Sequence, residues 1–319
     1  MEHTPKTTSL VIETRALTKK YKQKAAVNHL DLKVQESAIY GFIGRNGAGK
    51  STTLKMLCGL ARPTEGEISL FGKQVGDSMT ARRIGCLIES AGLYPNMSAR
   101  QNMLMKAKCI GMTDEKKADE LLSMTGLSDV GNRKTKNFSM GMKQRLGIAM
   151  ALLGNPDLLI LDEPINGLDP EGVREIRQLI LKLNEEGKTF LISSHILGEL
   201  SKISTHYGII QNGCLVEQLE REELERRCED YFRIRVDDIH RALALIQESM
   251  TKIRVEAEDN RTLHLYGLQE GSAVNQLLIE NRVQVYESGF HHMDLEEYFL
   301  ARMDGGQATE KGKESKSYV

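Results

Sequence analysis

The sequence is poor in cysteine, has no excess of charge of either sign and contains no long hydrophobic run. Its five cysteines are odd in number, widely separated along the chain and never arranged as a CxxC pair. Neither a disulfide framework nor a zinc site is therefore predicted. The pattern is typical of a protein from a reducing, intracellular compartment.

The charge balance limits the partners that the chain is expected to bind. Lysine and arginine number 43 against 44 aspartate and glutamate residues, which gives a formal net charge of -1. A protein whose main task is to neutralise nucleic-acid phosphates carries an excess of positive charge. We therefore expect no nucleic-acid partner, and we expect any phosphate binding to be local.

Hydrophobic segments are short throughout the chain. No apolar run approaches the roughly 20 residues that cross a bilayer. The N-terminal MEHTPKTTSL also lacks the basic-then-apolar pattern of a signal peptide. The chain is therefore expected to be soluble and to have no membrane span of its own, although it can dock on a membrane protein.

Strand-like and helical patterns alternate over residues 9–218, which we predict to be one domain. The strand-like runs read SLVIET, IYGFIG, GEISLF, LLILD, TFLISS and YGIIQ. Strands that alternate with helices predict an α/β fold with a parallel sheet covered by helices. The segment at residues 90–155 shows helical periodicity without a convincing strand, so we predict a helical subdomain inserted there.

The rest of the chain predicts a second, smaller domain at residues 219–303. The charge-rich REELERRCED marks its beginning, and the runs that follow read strand, helix, hairpin, helix and strand, with a closing helix LEEYFLARM. The order β-α-β-β-α-β is the ferredoxin-like arrangement of an α+β domain. The polar residues 304–319 are expected to form a disordered tail.

A glycine-rich loop follows the strand IYGFIG directly and leads into a helical pattern. Its sequence, GRNGAGKST, matches the phosphate loop G-x-x-x-x-G-K-[ST]. Backbone N–H groups of such a loop turn inward around a phosphate, and the helix N-terminus adds partial positive charge. Lys50 is expected to contact the β- and γ-phosphates, and the Ser51 hydroxyl to ligate Mg²⁺. The predicted nucleotide contacts of the loop are Gly44, Arg45, Asn46, Gly47, Ala48, Gly49, Lys50, Ser51 and Thr52.

A phosphate loop needs a further hard ligand for magnesium. One of two adjacent carboxylates can supply it. Asp162 and Glu163 follow the apolar run LLIL, so they are expected at the C-terminal end of a buried strand, where ligands bind in open α/β sheets. Asp162 is predicted to hold Mg²⁺ through its water shell, and Glu163 to orient and deprotonate the attacking water. The alternative is that the pair only caps the following helix.

A third strand, KTFLISSH, ends in His195. An imidazole at that place can donate a hydrogen bond to a γ-phosphate and stabilise charge in the transition state. A single histidine after a strand is more often structural. Its position relative to the two preceding motifs is what favours a catalytic role for His195.

The segment NFSMGMKQRLGIAMALLGNPDLLILDEPINGLDP resembles the signature segment, Walker B strand and D-loop of an ATP-binding cassette (ABC) protein. The phosphate loop and His195 stand in the order and at the spacing of that family, and the resemblance covers Ser9 to Gln218. It implies a P-loop ABC nucleotide-binding domain with a parallel-sheet core, an antiparallel β subdomain and the inserted helical subdomain.

Further residues acquire roles from the resemblance. Tyr21 matches the aromatic residue that stacks on adenine, and the alternative is a half-buried tyrosine at a strand end. Ser139 and Gly141 match the signature positions, which implies a helix N-terminus facing the γ-phosphate bound by the opposite subunit. Asp169, in GLDP, matches the D-loop residue that links the two sites of a head-to-tail dimer.

The sequence departs from the family in two places. Met140 and Met142 flank Gly141 where the usual signature has a glycine pair followed by glutamine, so the contact of that glutamine is not carried over. Glu89, in IGCLIESAGLYPN, replaces a glutamine that touches Mg²⁺ or the attacking water and the membrane subunit. We predict that Glu89 ligates Mg²⁺ and couples nucleotide state to a membrane partner, and that Glu163 acts as the base.

Together with GLYPN, SMGMKQRLGIA and LEEYF, this glutamate resembles the subgroup of ABC exporters that expel bacitracin or lantibiotics and protect cells from them. The resemblance implies an ATPase that binds ATP and Mg²⁺ and lies peripherally at the cytoplasmic face of the cell membrane. Its implied partners are separately encoded membrane subunits and a second ATP-binding subunit, which we expect to be an identical copy.

Other functions stay open. A non-transport ABC protein that acts on ribosomes or DNA usually carries two cassettes or a long coiled-coil insertion, and neither is seen. A regulatory module that holds nucleotide without hydrolysing it would lack a base, whereas Glu163 is present. A different export substrate is also open, because specificity would lie in the membrane subunit.

Overall fold

The computed structural model describes residues 9–250, 253–292 and 295–303. The described residues separate into two compact units, of which the second lies within Glu222–Leu300 and the first contains the other described residues. The division falls close to the predicted boundary, and the exact limits of the two domains stay a prediction. The predicted disordered tail at residues 304–319 lies outside the described residues.

Six strands form the central sheet of the first unit. From one edge to the other they are β11 (Cys214–Glu220), β10 (His206–Gln211), β4 (Ile39–Ile43), β9 (Thr189–Ser194), β8 (Leu158–Asp162) and β7 (Ile84–Leu87). Every neighbouring pair is parallel except β10 and β11. The strands β4, β8 and β9 are buried along their whole length, as expected for parallel strands covered on both faces.

The order of this sheet brings the sequence motifs together. In the register of β4, β9 and β8, Ile43 pairs with Ser194 and Asp162 pairs with Ser193. The phosphate loop follows β4, Glu163 follows β8 and His195 follows β9. Because the C-terminal ends of parallel strands share one edge of the sheet, the three motifs lie side by side.

An antiparallel sheet forms the second layer of the first unit. It consists of β1 (Leu10–Tyr21), β2 (Lys24–Leu30), β3 (Lys33–Gln35), β5 (Glu65–Leu70) and β6 (Lys73–Gln74). Leu17 from this sheet, Phe42 and Ile160 from the central sheet and Leu54 from the helix after the phosphate loop belong to one hydrophobic cluster. The predicted antiparallel subdomain is therefore present, and its core is continuous with the layer that carries the motifs.

Helices cover the central sheet, and the chain between β7 and β8 is mainly helical. The helices of the first part of the chain are α1 (Lys50–Leu57), α2 (Ser78–Ala81), α3 (Ala99–Cys109), α4 (Lys116–Met124), α5 (Met140–Leu152), α6 (Pro170–Glu185), α7 (Leu197–Leu200) and α8 (Arg221–Arg227), with 3₁₀ turns at Ser128–Val130 and Thr135–Asn137. The helices α3, α4 and α5 pack on one another where the sequence predicts the inserted helical subdomain. Across the described residues, every helix is too short or too polar to cross a membrane.

The second unit has the predicted β-α-β-β-α-β order. Its elements are β12 (Tyr231–Val236), α9 (Ile239–Ser249), β13 (Arg254–Ala257), β14 (Thr262–Tyr266), α10 (Ser272–Glu280), β15 (Val285–His291) and α11 (Leu295–Met303). The strand order is β13-β14-β12-β15 and all pairs are antiparallel, which is the ferredoxin-like arrangement. Ile234, Ile246, Leu263 and Val274 belong to a core of its own.

Candidate functional site

The phosphate loop forms a tight turn between β4 and α1. Gly49 is the N-cap of α1 and has a φ of 112°, which favours glycine. A Cβ on Gly49 would lie 2.5 Å from the carbonyl oxygen of Ala26, and a Cβ on Gly44 would lie 2.5 Å from that of Ile210. The loop backbone therefore lies directly against β2 and β10. With the start of α1, it forms a cradle whose N–H groups fit a phosphate chain.

Lys50 carries the positive charge of this cradle. Its side chain is 6% exposed, and its Nζ donates hydrogen bonds to the carbonyl oxygens of Gly44 at 2.6 Å and Arg45 at 3.3 Å. The same Nζ lies 3.4 Å from Oε1 of Glu163. The ammonium group thus lies between the phosphate loop and Glu163, the predicted catalytic residue, which directly follows β8.

Ser193 connects the two adjacent carboxylates. Its Oγ donates to Oδ1 of Asp162 at 2.5 Å, and the backbone N–H of Glu163 donates to Oγ and to the carbonyl oxygen of Ser193, both at 3.1 Å. Asp162 is only 7% exposed, so this hydrogen bond fixes a carboxylate at the edge of the core. Ser193 was not among the predicted site residues, although a polar residue directly after the apolar run FLI could have indicated it.

Glu163 has a strained backbone and two side-chain partners. Its φ of 49° lies in the left-handed region, which is costly for a non-glycine residue and is often found at functional sites. Oε2 accepts a hydrogen bond from Nδ1 of His195 at 2.8 Å, while the buried Oε1 faces Lys50 and accepts no hydrogen bond. A carboxylate with one oxygen that accepts no hydrogen bond is suited to accept a proton.

The helix that follows these carboxylates is capped by another residue. Asp169 is the N-cap of α6, and its side chain accepts a hydrogen bond from the N–H of Gly172 at 3.0 Å. Asp162 and Glu163 instead face Ser193, Lys50 and His195. The alternative in which the pair only caps the following helix is therefore wrong.

Glu89 is placed differently from the other predicted magnesium ligands. It lies beyond β7 with a φ of 59°, and its side chain is 63% exposed. Its carboxylate accepts a hydrogen bond from Nζ of Lys55, on α1, at 2.5 Å. This hydrogen bond raises the pKa of Lys55, and the charges of Glu89 and Asp162 act in the same direction.

Lys55 is the side-chain partner of Glu89 among the described residues, so the structure does not bring Glu89 into contact with Ser51 or Asp162. The role of Glu89 as a magnesium ligand stays a prediction. Lys55 was not among the predicted site residues, although its place in the last turn of α1 could have indicated a contact for it.

The predicted signature residues lie at the start of α5. Ser139 is the N-cap, and its Oγ accepts a hydrogen bond from the N–H of Met142 at 3.2 Å. A Cβ on Gly141 would lie 3.4 Å from Leu168, so the first turn of α5 packs beside the segment that leads to α6. Met140 is exposed. The first turn of α5 therefore carries an exposed methionine beside its N-terminal backbone N–H groups.

Tyr21 ends β1 and lies apart from the phosphate loop in sequence. It is 52% exposed, and Nζ of Lys19 lies 5.2 Å from the centre of its ring. An accessible aromatic ring suits a stacking role, which stays a prediction.

The oxygen atoms of the site can hold Mg²⁺ only when the phosphates of a bound nucleotide supply further ligands. Within residues 9–250, 253–292 and 295–303, no three histidine, cysteine, aspartate or glutamate residues cluster closely enough to hold a metal ion alone. Ser51 and Asp162 offer a hydroxyl and a carboxylate, which are oxygen donors of the kind that Mg²⁺ prefers. Mg²⁺ commonly completes its octahedral shell with substrate phosphates and water, so these residues fit such an ion.

Comparison with known proteins shows the family to which the chain belongs. Residues 27–166 match the ABC transporter (ABC_tran) family. The chain is 41% identical over 302 residues to the bacitracin transport ATP-binding protein BcrA of Bacillus licheniformis, covering 93% of this chain and 99% of that protein. It is 41% identical over 212 residues to the lantibiotic transport ATP-binding protein SrtF of Streptococcus pyogenes, covering 66% of this chain and 91% of that protein.

Solved structures are similar to the first unit. An ATP-binding subunit of an ABC transporter has 28% identity and a TM-score of 0.62, and covers 68% of this chain and 92% of its own. A dimeric ATP-binding cassette in a post-hydrolysis state, bound to ADP and Pi, has 28% identity and a TM-score of 0.61, and covers 66% of this chain and 98% of its own. The predicted α/β P-loop fold is confirmed, and the chain belongs to the ABC transporter family as an ATP-binding subunit that hydrolyses ATP.

Proposed function

We propose that this chain powers the export of an antimicrobial peptide of the bacitracin or lantibiotic type through a separate membrane subunit. The observation that carries the proposal is the 41% identity to a bacitracin transport ATP-binding protein, because it covers 99% of that relative. The similarity therefore includes the second unit as well as the cassette. A lantibiotic transport relative of equal identity supports the peptide class.

Two copies of the chain would act as a head-to-tail dimer. The phosphate loop of one copy would hold ATP, and the first turn of α5 of the other copy, with Ser139 and Gly141, would cover the γ-phosphate. Ser139 and Asp169 both cap helix N-termini, which favour negative charge. The dimeric cassette with ADP and Pi supports this arrangement, because its fold is that of the first unit.

Hydrolysis would rest on Lys50, Glu163 and His195. Lys50 lies at the mouth of the loop, where its charge would act on the β- and γ-phosphates. Glu163 would accept a proton from the attacking water, and His195 would hold that carboxylate in place through its Nδ1–H. Ser51 and Asp162 would hold Mg²⁺, with Glu89 as a further candidate ligand. When bound, the ion would neutralise charge on the phosphates.

Coupling to the membrane subunit would take place beside Glu89. A cleft of about 800 Å³ opens between β7, α3 and α5, and its lining includes Ser90 and Ala91, which directly follow Glu89. A helix of the membrane subunit would dock there, and the chain would lie at the cytoplasmic face of the membrane. Closure and opening of the dimer would then alternate the access of the exporter.

Resistance to peptide antibiotics tests the proposal. The chain is expressed in a sensitive host together with its membrane subunit, and survival is measured with bacitracin, a lantibiotic and an unrelated antibiotic. We expect protection against the first or second compound and none against the third. The Glu163→Gln variant should remove that protection. ATP hydrolysis by the assembled transporter without any protection or peptide efflux would overturn the proposed substrate class.

A further inference from the structure

The cleft between β7, α3 and α5 carries three cationic side chains. Arg82 lies two residues before β7, and Lys106 and Lys108 lie in the last turn of α3. All three are exposed, and none forms an ion pair or a side-chain hydrogen bond with another described residue. Among the described residues that line the cleft, none is aspartate or glutamate. The lining therefore carries only positive charge, although the formal net charge of the chain is -1.

The rest of the lining is mainly apolar. Ile110, Met112 and Met150 contribute to it, and Ile110 is 40% exposed. Methionine adapts its shape to whatever packs on it, which suits a surface that receives a partner. An apolar cleft with exposed cations fits an amphipathic helix, whose apolar side chains enter the cleft and whose acidic side chains pair with the cations.

Contacts at the end of α5 show where in the cleft the cations lie. A Cβ on Gly154, just after α5, would lie 3.5 Å from Cδ1 of Ile110, just after α3. The N–H of Asp157 donates to the carbonyl oxygen of Arg83 at 2.9 Å, so the segment after α5 also adjoins the start of β7. The three cations are therefore gathered at the end of the cleft where α3 and α5 end and β7 begins.

The other end of the cleft adjoins a carboxylate. A Cβ on Gly147, in the middle of α5, would lie 2.8 Å from Cβ of Ala91, which lines the cleft two residues after Glu89. The Glu89 side chain is 63% exposed, although it pairs with Lys55. The four residues of β7 alone separate the two ends by roughly 13 Å, which is the length of about nine helical residues.

We propose that the helix of the membrane subunit that docks in this cleft carries acidic side chains at the end that meets α3 and a basic side chain at the end that meets Glu89. This inference rests on the proposed transport function, because it takes the membrane subunit as the partner. Apolar side chains three or four residues apart fill the cleft between the charged ends. A helix docked in the opposite direction places like charges together, so the charges fix the direction of docking.

Labelling of the native thiols tests whether the cleft is covered. Cys86 and Cys109 line it and are exposed free thiols, whereas Cys214 is partly buried and lies outside the lining. The chain alone and the transporter purified with its membrane subunit are treated with N-ethylmaleimide, and mass spectrometry follows each tryptic peptide. We expect Cys86 and Cys109 to react roughly tenfold more slowly in the transporter, because covered thiols are less accessible, and Cys214 to react at the same rate.

Other occupants of the cleft give different results. Equal labelling of Cys86 and Cys109 in the transporter and in the chain alone would overturn the proposal. Protection of the chain alone by phosphatidylglycerol vesicles would assign the cleft to an anionic lipid surface and overturn it as well. Protection that rises with the concentration of the chain alone would assign the cleft to a second copy, with the same consequence.

Charge reversal tests the chemistry of the partner. We expect the double variant Lys106→Glu, Lys108→Glu to co-purify with the membrane subunit in a yield on the order of tenfold lower, because it sets like charges against each other. Its Tm should hardly change, because both lysines are exposed and unpaired among the described residues. Lys116→Glu, at an exposed position of α4 outside the cleft lining, is the matched control and should co-purify normally. An undiminished yield of the double variant would contradict the proposal.

Compensating changes in the membrane subunit test the order of the charges. Lysine in place of the acidic side chains of the docking helix should restore the yield of Lys106→Glu, Lys108→Glu but not that of Glu89→Lys. Glutamate in place of the basic side chain should do the reverse. If each change instead rescues the other variant, the helix docks in the opposite direction and the proposed order is wrong.

The proposed transport function is judged separately, because labelling and co-purification need no peptide. A transporter with a covered cleft that gives no peptide resistance would overturn the substrate class alone. Peptide resistance in a transporter whose Cys86 and Cys109 react freely would overturn the docking proposal alone.

Discussion

The carboxylate of Glu163 lies between the ammonium group of Lys50 and the imidazole of His195. One oxygen is 3.4 Å from Nζ of Lys50, and the other is 2.8 Å from Nδ1 of His195. The three residues follow neighbouring parallel strands, so the sheet itself sets their spacing. In the proposed mechanism, this oriented carboxylate would take the proton of the attacking water next to the phosphate.

Replacement of Glu163 by glutamine should abolish hydrolysis but keep ATP binding. The amide has nearly the same shape but cannot accept a proton from water, so we expect kcat to fall by roughly 100- to 10,000-fold. With ATP, the variant should accumulate as a dimer that size-exclusion chromatography detects. Glu171→Gln, at an exposed position in the first turn of α6, is the matched control and should hydrolyse ATP normally. Undiminished turnover in Glu163→Gln would assign the base to another residue.

Replacement of Ser193 by alanine should disturb the magnesium site. The variant loses the donor to Oδ1 of Asp162, and a buried group left without its hydrogen bond costs about 1–3 kcal/mol of unfolding free energy. Urea unfolding measures this loss, and the Mg²⁺ concentration for half-maximal ATPase activity should change with it. Ser194→Ala is the comparison, because its Oγ accepts from the N–H of Ile196 and donates to the carbonyl oxygen of Ile196, both within the same segment. It should lose stability without a changed Mg²⁺ requirement, and equal Mg²⁺ effects in both variants would contradict the prediction.

The central sheet and most of the site could be predicted because their signals are local. A glycine-rich loop between a strand and a helix can be recognised from about ten consecutive residues. The same holds for carboxylates that follow an apolar run. The rule that ligands gather at the C-terminal ends of parallel strands then places Lys50, Asp162 and His195 together without knowledge of the packing.

The contacts that the sequence analysis missed depend on how elements pack. Ser193 reaches Asp162 because β9 lies next to β8, and Lys55 reaches Glu89 because the last turn of α1 lies near the end of β7. No spacing along the chain indicates either contact.

Replacement of Tyr21 by alanine should weaken the binding of ATP. A base–aromatic stack contributes about 1–3 kcal/mol, so we expect Kd to rise by roughly 5- to 150-fold. Tyr21→Phe keeps the ring and should bind normally, and inorganic tripolyphosphate, which has no base, should bind both variants equally. Tyr94→Ala is the control, because Tyr94 is 51% exposed and Tyr21 is 52% exposed. Titration calorimetry measures these affinities, and a Tyr21→Ala variant with unchanged ATP affinity would assign Tyr21 to the strand end alone.

Replacement of Glu89 by alanine should separate nucleotide binding from export. The Lys55–Glu89 pair is largely exposed, and such pairs contribute only about 0.2–1 kcal/mol, so the fold should hardly lose stability. Much of the ATP binding should persist, because Lys50 and the phosphate loop do not depend on Glu89. Peptide resistance should be lost if the carboxylate acts on Mg²⁺ or on the membrane subunit. Unchanged resistance in Glu89→Ala would refute the coupling role.

A charge exchange separates the two ways in which Glu89 can act. The double variant Lys55→Glu, Glu89→Lys restores an ion pair between α1 and the segment after β7, but it places a positive charge where the carboxylate stood. If Glu89 served only to hold α1, the exchange would restore resistance that Glu89→Ala had lost. We expect it to fail, because a lysine can neither ligate Mg²⁺ nor attract a basic group of a docking helix. ATP binding, measured in the same double variant, distinguishes this outcome from a general loss of the site.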